Sequence, residues 1–572
     1  MQAKLLLKNN DKDNNTNCPV IGVFSAGDPR IDHEARLRNI NIIKKIANEL
    51  NDNILLPNKQ PVKVVYSDIL VDGEKQADEL ANIFKANHVN ILVCVPDTWS
   101  FPQPTLISFL SHFSSDTPLN LTCGNAASKP GVVYTHAVSG ALAQYGRLLH
   151  INVGSWDDSG PDPKISNNTI TSLVDWCYAA STFMNMKGKR VVVFGHDSMG
   201  METALSHVIK TRNQFNLEIT RLDMKILSDM LMKGAYNKEE HRNLKSWLEN
   251  HAKERIEINN KKEADNIDKS LALYLIVRDL MTDLGAIGGG FMSQLEWGSD
   301  NRGLPLPTAD IMESLFNSAF DHNGPKEVIP FATEADTQAL ITMLIFTGLS
   351  GGNPPLFMDF RKVWEPDEIQ RLAQSINFEI PANAPWMQKG FVDGNNSGSA
   401  SFDWAAAPGS SESGIMKNIS FPQVDKNYFP GGGNSVHFLS PGGIEGIAGR
   451  LAYSELTGMF SMVWDEATTI ELPEKLAEAV MHSSDYNWPH TFLMPKHANM
   501  FEYKHYAPAN HLHMTWGLPV ARLQYWMDLA NVLSITPWKS MEFGREGIDR
   551  PLPLLYILNG GENETKIRMK KF

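Results

Sequence analysis

The feature that most constrains this chain is a repeated alternation of short, fully apolar runs with amphipathic helical stretches over its first two hundred residues. Val20 to Phe24 is apolar throughout, as a strand covered on both faces must be. A Gly-Asp-Pro-Arg turn follows, then a helical pattern from His33 to Leu50 with Leu37, Ile40, Ile43, Ala47 and Leu50 on one side. Val62 to Ile69 is a second strand-like run, Glu74 to Ala86 a second helix, and Val89 to Pro96 a third strand. A β-α-β-α-β order predicts a doubly wound α/β domain. The rhythm restarts after Trp176, where a helix carrying Phe183 and Met184 leads into the strand Arg190 to Gly195, with Ser198-Met199-Gly200 just past its carboxyl end. Ligands collect at that edge of an open sheet. Alternating charges from Tyr236 to Ile267 predict exposed helix faces.

From about Gly351 the alternation is lost and the chain becomes rich in Gly, Ser, Pro and Asn. Phe438-Leu439 and Met459 to Trp464 suggest β-structure there, between long loops at Asn395 to Ser401, Pro408 to Ser413 and Pro430 to Ser435. The expected organisation is two doubly wound α/β domains followed by a β-rich C-terminal domain, divided 1–170, 171–350 and 351–572.

Composition narrows the function classes. The 572 residues carry 65 acidic and 52 basic side chains, a formal charge of −13, with no basic run of the kind that marks nucleic-acid binding. No apolar run approaches the ~20 residues of a membrane span. Met1 to Leu7 is followed by polar residues and lacks the apolar core of a signal peptide, so a cytoplasmic protein is expected. Cys18, Cys94, Cys123 and Cys177 are scattered without Cys-x-x-Cys spacing, which predicts reduced, packed thiols and no structural zinc site.

Three segments carry candidate chemistry. An apolar lead-in stops at an acid in Phe331-Ala332-Thr333-Glu334-Ala335-Asp336, Asp359 stands alone inside the apolar run Pro355 to Phe360, and His511 lies in Asn510-His511-Leu512-His513. Singly, each has an ordinary reading: Glu334 as a helix cap, Asp359 as partner of Arg361 or of a backbone amide, His511 as a packed or surface histidine. Together, two carboxylates and one imidazole suit a Mn²⁺- or Mg²⁺-like ion that keeps positions open for water or substrate oxygens. His513 is the rival ligand to His511. Gly288-Gly289-Gly290 could let backbone approach a ligand closely, but lacks the context of a dinucleotide site. Trp99 and Trp488 could stack on sugar C–H faces or pack in a core or interface.

In order along nearly the whole chain, several segments resemble the L-fucose isomerase family, which also accepts D-arabinose. These are Met186-Lys187-Gly188-Lys189 with Ser198-Met199-Gly200; Gly290-Phe291 through Gln294 and Trp297; Phe320 to Gly324; Ala332-Thr333-Glu334; Phe357 to Arg361; Asn396 to Ala400; Gly431-Gly432-Gly433; and Asn510-His511. The resemblance implies Mn²⁺ held by Glu334, Asp359 and His511. It implies both acids as acid/base groups in an aldose–ketose isomerisation through an ene-diol(ate). It also implies a homohexamer in which Arg30 and Trp99 of one subunit reach a neighbour's pocket, and sugar contacts from Gln294, Trp488 and Asn510. Asn434 occupies the place of a substrate-contacting Tyr, and Met292 that of a polar Gln. The metal set is intact and the pocket wall altered, so an aldose other than L-fucose, such as one modified at C6, stands beside L-fucose and D-arabinose as substrate. A non-catalytic sugar-binding protein on the same fold is the reading from a different class.

Overall fold

The computed structural model describes residues 18–535 apart from 158–159, 197–199, 293–305, 397, 399, 456–457, 499 and 501–506. They form two compact units, one of residues 18–187 with Ala521–Ala530, the other of Gly188–Val520 with 531–535.

In the first unit β1 (Val20–Phe24), β2 (Lys63–Tyr66), β3 (Ile91–Cys94), β4 (Leu119–Gly124) and β5 (His150–Gly154) make a parallel sheet in the order β2-β1-β3-β4-β5. The helices His33–Asn53 and Asn167–Met186 contribute to one core, and Glu74–Ala86 and Gly131–Gln144 to another. The sheet is therefore covered on both faces, which is why β1 and β3 read as unbroken apolar runs. The order reverses between β1 and β3, and the loops after these two strands flank the crevice where such sheets collect ligands. Arg30 and Trp99 lie on those loops. The Arg30 guanidinium pairs with Asp28 at 2.6 Å and stands 5.6 Å from the Phe101 ring, and Trp99 packs edge-on against Phe101 and Tyr134.

The second unit begins with a four-stranded parallel sheet. It consists of β6 (Arg190–Phe194), β7 (Glu218–Leu222), β8 (Ala286–Phe291) and, beyond the short β9 (Phe320–Asp321) and β10 (Gly324–Pro325), β11 (Phe331–Ala332), in the order β11-β8-β6-β7. The charged stretch expected as helix resolves into Lys238–Ala252 and Lys261–Leu284, each opened by an asparagine cap. Gly288-Gly289-Gly290 lies within β8. A β-carbon at Gly288 would come within 2.9 Å of the Pro330 carbonyl, and one at Gly290 within 2.7 Å of the Ala332 carbonyl. The close approach expected of these glycines is thus to the backbone of and before β11, the strand that delivers Glu334.

The β-rich region is a closed antiparallel barrel. Its strands are β12 (Leu356–Trp364), β13 (Phe391–Asn395), β14 (Glu445–Ser454), β15 (Met459–Thr469), β16 (His490–Pro495) and β17 (His511–Trp516), in the order β14-β17-β12-β13-β16-β15, and a β14–β15 pairing shuts the ring. β18 (Leu533–Ile535) adds in parallel to β15. Closure removes free strand edges. The helix Thr337–Leu349 is buried on every side, and contacts both β14 and β17.

Candidate active site

Within the second unit three chain segments meet at His511. After β11 the chain makes a tight turn, Thr333–Ala335, in which Glu334 and Ala335 both take left-handed backbone angles, φ 58° and 53°. Two adjacent non-glycine residues in that region cost roughly 1–3 kcal/mol each, a strain typical of sites whose side chains must be aimed. Asp336 follows at once and caps the helix Thr337–Leu349, its carboxylate accepting from the Ala339 amide at 2.8 Å. The cap expected of Glu334 is thus supplied by Asp336, which leaves Glu334 to face the barrel.

Across the barrel, β12 and β17 pair so that Asp359 stands directly opposite His511 and Phe357 opposite His513. Opposed residues share a face of the sheet, so this register brings together residues about 150 positions apart in sequence. His511 Nε2 lies 3.3 Å from a Glu334 oxygen and 3.5 Å from an Asp359 oxygen, and Nδ1 lies 2.6 Å from Asp336. The ring is buried, and Nε2 has no partner of hydrogen-bonding geometry despite the two oxygens beside it. His513 points elsewhere: its Nε2 is 3.4 Å from Arg450, and burial followed by that guanidinium holds the ring far below the usual imidazole range. His511, and not His513, is therefore the imidazole that faces both carboxylates.

Asp359 does not pair with Arg361, which bonds to Asp485 instead. Its two oxygens accept from Asn396 at 2.7 Å and Asn510 at 3.2 Å, and burial pushes the carboxyl above the usual carboxylate range. Beneath the trio, Arg450 grips Asp336 with both terminal nitrogens, at 2.7 and 2.9 Å, and all of these atoms are fully buried. Burial opposes charge on Asp336, but Arg450 and His511 outweigh it and hold the carboxyl well below its ordinary range. Burial likewise opposes charge on His511, but the hydrogen bond to Asp336 and then the neighbouring Glu334 carboxylate push the ring up to about 10.

These shifts make a prediction for the cation-free chain. Stability from charged His511 is fully present below the unfolded value of 6.5 and is lost as pH rises through about 10. The denaturation midpoint should fall across that interval, and His511→Gln should flatten the fall.

The remaining sequence candidates divide. Asn510 joins the trio through Asp359. Trp488 packs with Val424 and Phe429, with the Arg361 guanidinium 5.5 Å from its ring. Asn434 is buried, its amide donating to the Glu257 and Phe421 carbonyls and accepting from Gln423, so each polar atom of its side chain already has a protein partner. Gln294 lies outside the described residues. Sequence reasoning gave no role to Asp336, Arg450 or Asn396.

Among the described residues no group of three or more His, Cys, Asp or Glu forms a ready-made metal centre. The chemistry of the His511 surroundings nonetheless fits a divalent cation. Glu334 and Asp359 bring carboxylate oxygens to within 3.3 and 3.5 Å of the His511 Nε2, so hard oxygen donors and one imidazole nitrogen converge on one place. Hard divalent ions bind oxygen at ~2.0–2.6 Å, which places adjacent donors at right angles roughly 2.8–3.7 Å apart, a range that holds both contacts at Nε2.

Comparison with known proteins points to one family along the chain. Residues 18–188 match the family description "L-fucose isomerase, first N-terminal domain", and residues 189–351 match "L-fucose isomerase, second N-terminal domain". The L-fucose isomerase of Streptococcus pneumoniae strain JJA is 25% identical over 579 aligned positions, covering 93% of this chain and 95% of that protein. Those of strains 70585 and TIGR4 are 26% identical with the same coverage. Such relatives make the chain an enzyme of the aldose–ketose isomerase class. It belongs to the L-fucose isomerase family.

Proposed function

We propose that the chain interconverts an aldose and its ketose through an ene-diol(ate), with Mn²⁺ or another divalent cation held by Glu334, Asp359 and His511. L-Fucose and D-arabinose, or a closely related aldose, are the proposed substrates. The observation that carries the reading is the buried, unpartnered Nε2 of His511 facing two carboxylates from separate elements. Bound there, the cation would supply Lewis-acid stabilisation of negative charge on the sugar oxygens at C1 and C2.

The chain's own residues would do the rest. Isomerisation takes a proton from C2 and delivers one to C1, and Glu334 and Asp359 are the proposed acid and base. Burial raises the Asp359 carboxyl above the usual carboxylate range, the direction in which enzymes tune a carboxylate that exchanges protons with substrate. Asn396 and Asn510 hold its oxygens in place, and Asn510, exposed beside it, has the amide to contact a sugar hydroxyl. Gln294 and Trp488 are proposed as further walls. Arg30 and Trp99, on the crevice loops of the first unit, would complete a neighbouring subunit's pocket in a homohexamer. The proposed compartment is the cytoplasm; among the described residues no helix is long and apolar enough to cross a membrane.

The test is a panel of aldoses, C6-modified ones included, given to the purified chain with Mn²⁺ and assayed for ketose and for exchange of the C2 proton into D₂O. Chelator treatment is expected to abolish turnover and Mn²⁺ to restore it. Full activity in cation-free protein, or sugar binding with no C2 exchange, would refute the proposal.

A further inference from the structure

We infer that Asp336 is a positioning residue that fixes which nitrogen of His511 carries the lone pair toward Glu334 and Asp359, an inference that rests on the metal-binding reading above. The argument is one of donors and acceptors. One Asp336 oxygen accepts from the Ala339 amide at 2.8 Å and from Arg450 at 2.9 Å. The other accepts from Arg450 at 2.7 Å and faces His511 Nδ1 at 2.6 Å. A backbone amide and a guanidinium can only donate. Both oxygens are thus fixed as acceptors, and Nδ1 must carry hydrogen. The nitrogen left to offer a lone pair is Nε2, the one between the two catalytic carboxylates. An outer carboxylate that orients a ligating histidine in this way typically changes metal affinity ~10–100-fold when altered.

The same inventory shows what an amide in this place would do. In Asp336→Asn the NH₂ group must replace one of the two oxygens. In the first position it would meet two donors that cannot turn into acceptors. In the second it would meet one such donor and an imidazole, which can change tautomer. The amide nitrogen therefore settles against Nδ1, which becomes the acceptor, and Nε2 gains a hydrogen pointing at the cation's place. The substitution nearest in shape to the native residue thereby installs the wrong tautomer. Asp336→Ser removes the same negative charge and can still cap the helix, but dictates nothing to the ring. A purely electrostatic or structural role for Asp336 predicts that Asn is the milder change in every respect. Fixing of the tautomer predicts a crossing: Asn milder for stability, Ser milder for metal.

The experiment titrates Mn²⁺ into full-length wild-type, Asp336→Asn and Asp336→Ser proteins, reading free Mn²⁺ by its paramagnetic resonance signal, with thermal midpoints measured alongside. The expected result is a loss of affinity of about 10–100-fold in the Asn variant, a smaller loss in the Ser variant, and a higher midpoint for Asn than for Ser. Wild-type binding that Asn leaves unchanged, or a Ser loss equal to or larger than the Asn loss, would overturn the inference alone. Failure of the wild-type chain to bind Mn²⁺ would overturn the metal-dependent reading and the inference with it.

Discussion

Glu334→Gln and Asp359→Asn should each lower kcat by about 10²–10⁴-fold, the range a well-placed acid or base contributes, while leaving the protein folded. Each change is nearly isosteric, so the packing around the trio survives, but an amide neither takes a proton from C2 nor delivers one to C1. The two positions differ in how the chain holds them. Glu334 is aimed by a turn with two successive left-handed residues, a constraint of the backbone that Gln inherits unchanged. Asp359 is aimed by its register opposite His511 and by the amides of Asn396 and Asn510; the oxygen of an Asn there would keep one of these bonds, and the other amide can turn its oxygen toward the new NH₂. The fold should therefore report little change in either variant, and thermal midpoints near wild type are part of the expected result. On the proposed mechanism the two carboxylates act on one substrate, so the double variant should lose little more than the worse single one, as groups that work as a unit do. Turnover within tenfold of wild type in either single variant would remove that residue from the proposed chemistry.

How much of this was legible beforehand follows from burial and register. β1 and β3 announced themselves because a strand covered on both faces can be apolar at every position, and neither shows an exposed residue; β4, equally buried but carrying Asn120 and Thr122, did not. The barrel did not. β13 carries a buried Asp393 and ends in buried Asn395, with Gly394 seated on Met358, so its five residues show neither apolar continuity nor alternation. Pairing of β12 with β17 spans most of the C-terminal region, and no local pattern encodes it. The trio was readable as three separate oddities and, through resemblance, as a set, but its supporting layer was passed over. Asp336 had a signal, since it stands immediately before a thirteen-residue apolar helix whose cap must be buried. Arg450 had the same signal that singled out Asp359, a lone charge within the strand sequence Gly-Ile-Ala-Gly-Arg-Leu-Ala-Tyr. A buried charge demands a partner, but sequence does not say which. Here the two unexplained charges are each other's answer.

That pairing carries the second large effect. Arg450→Met should destabilise the protein by about 3–5 kcal/mol, because removal of one member of a buried ion pair leaves the other charged, with only the His511 ring and the Ala339 amide left against it. The guanidinium is fully buried, donates twice to Asp336 and once more to the Thr203 carbonyl at 2.7 Å, and so ties the barrel strand β14 to the cap of the helix Thr337–Leu349 and to the segment before residue 208. An exposed pair of the same chemistry supplies the control: Lys496 lies 2.8 Å from Glu466 with its side chain 60% exposed, and Lys496→Met should leave the denaturation midpoint close to that of the wild type. Denaturant midpoints at constant slope measure both. A further substitution separates charge from packing. If the loss in Arg450→Met comes from the stranded Asp336 carboxylate, then adding Asp336→Leu should recover part of it, since an apolar pair of similar volume often matches a buried ion pair in stability. Recovery is limited by the helix cap, whose loss costs ~1 kcal/mol. Equal destabilisation by Arg450→Met and Lys496→Met would mean that the Arg450–Asp336 pair does not anchor the floor of the site.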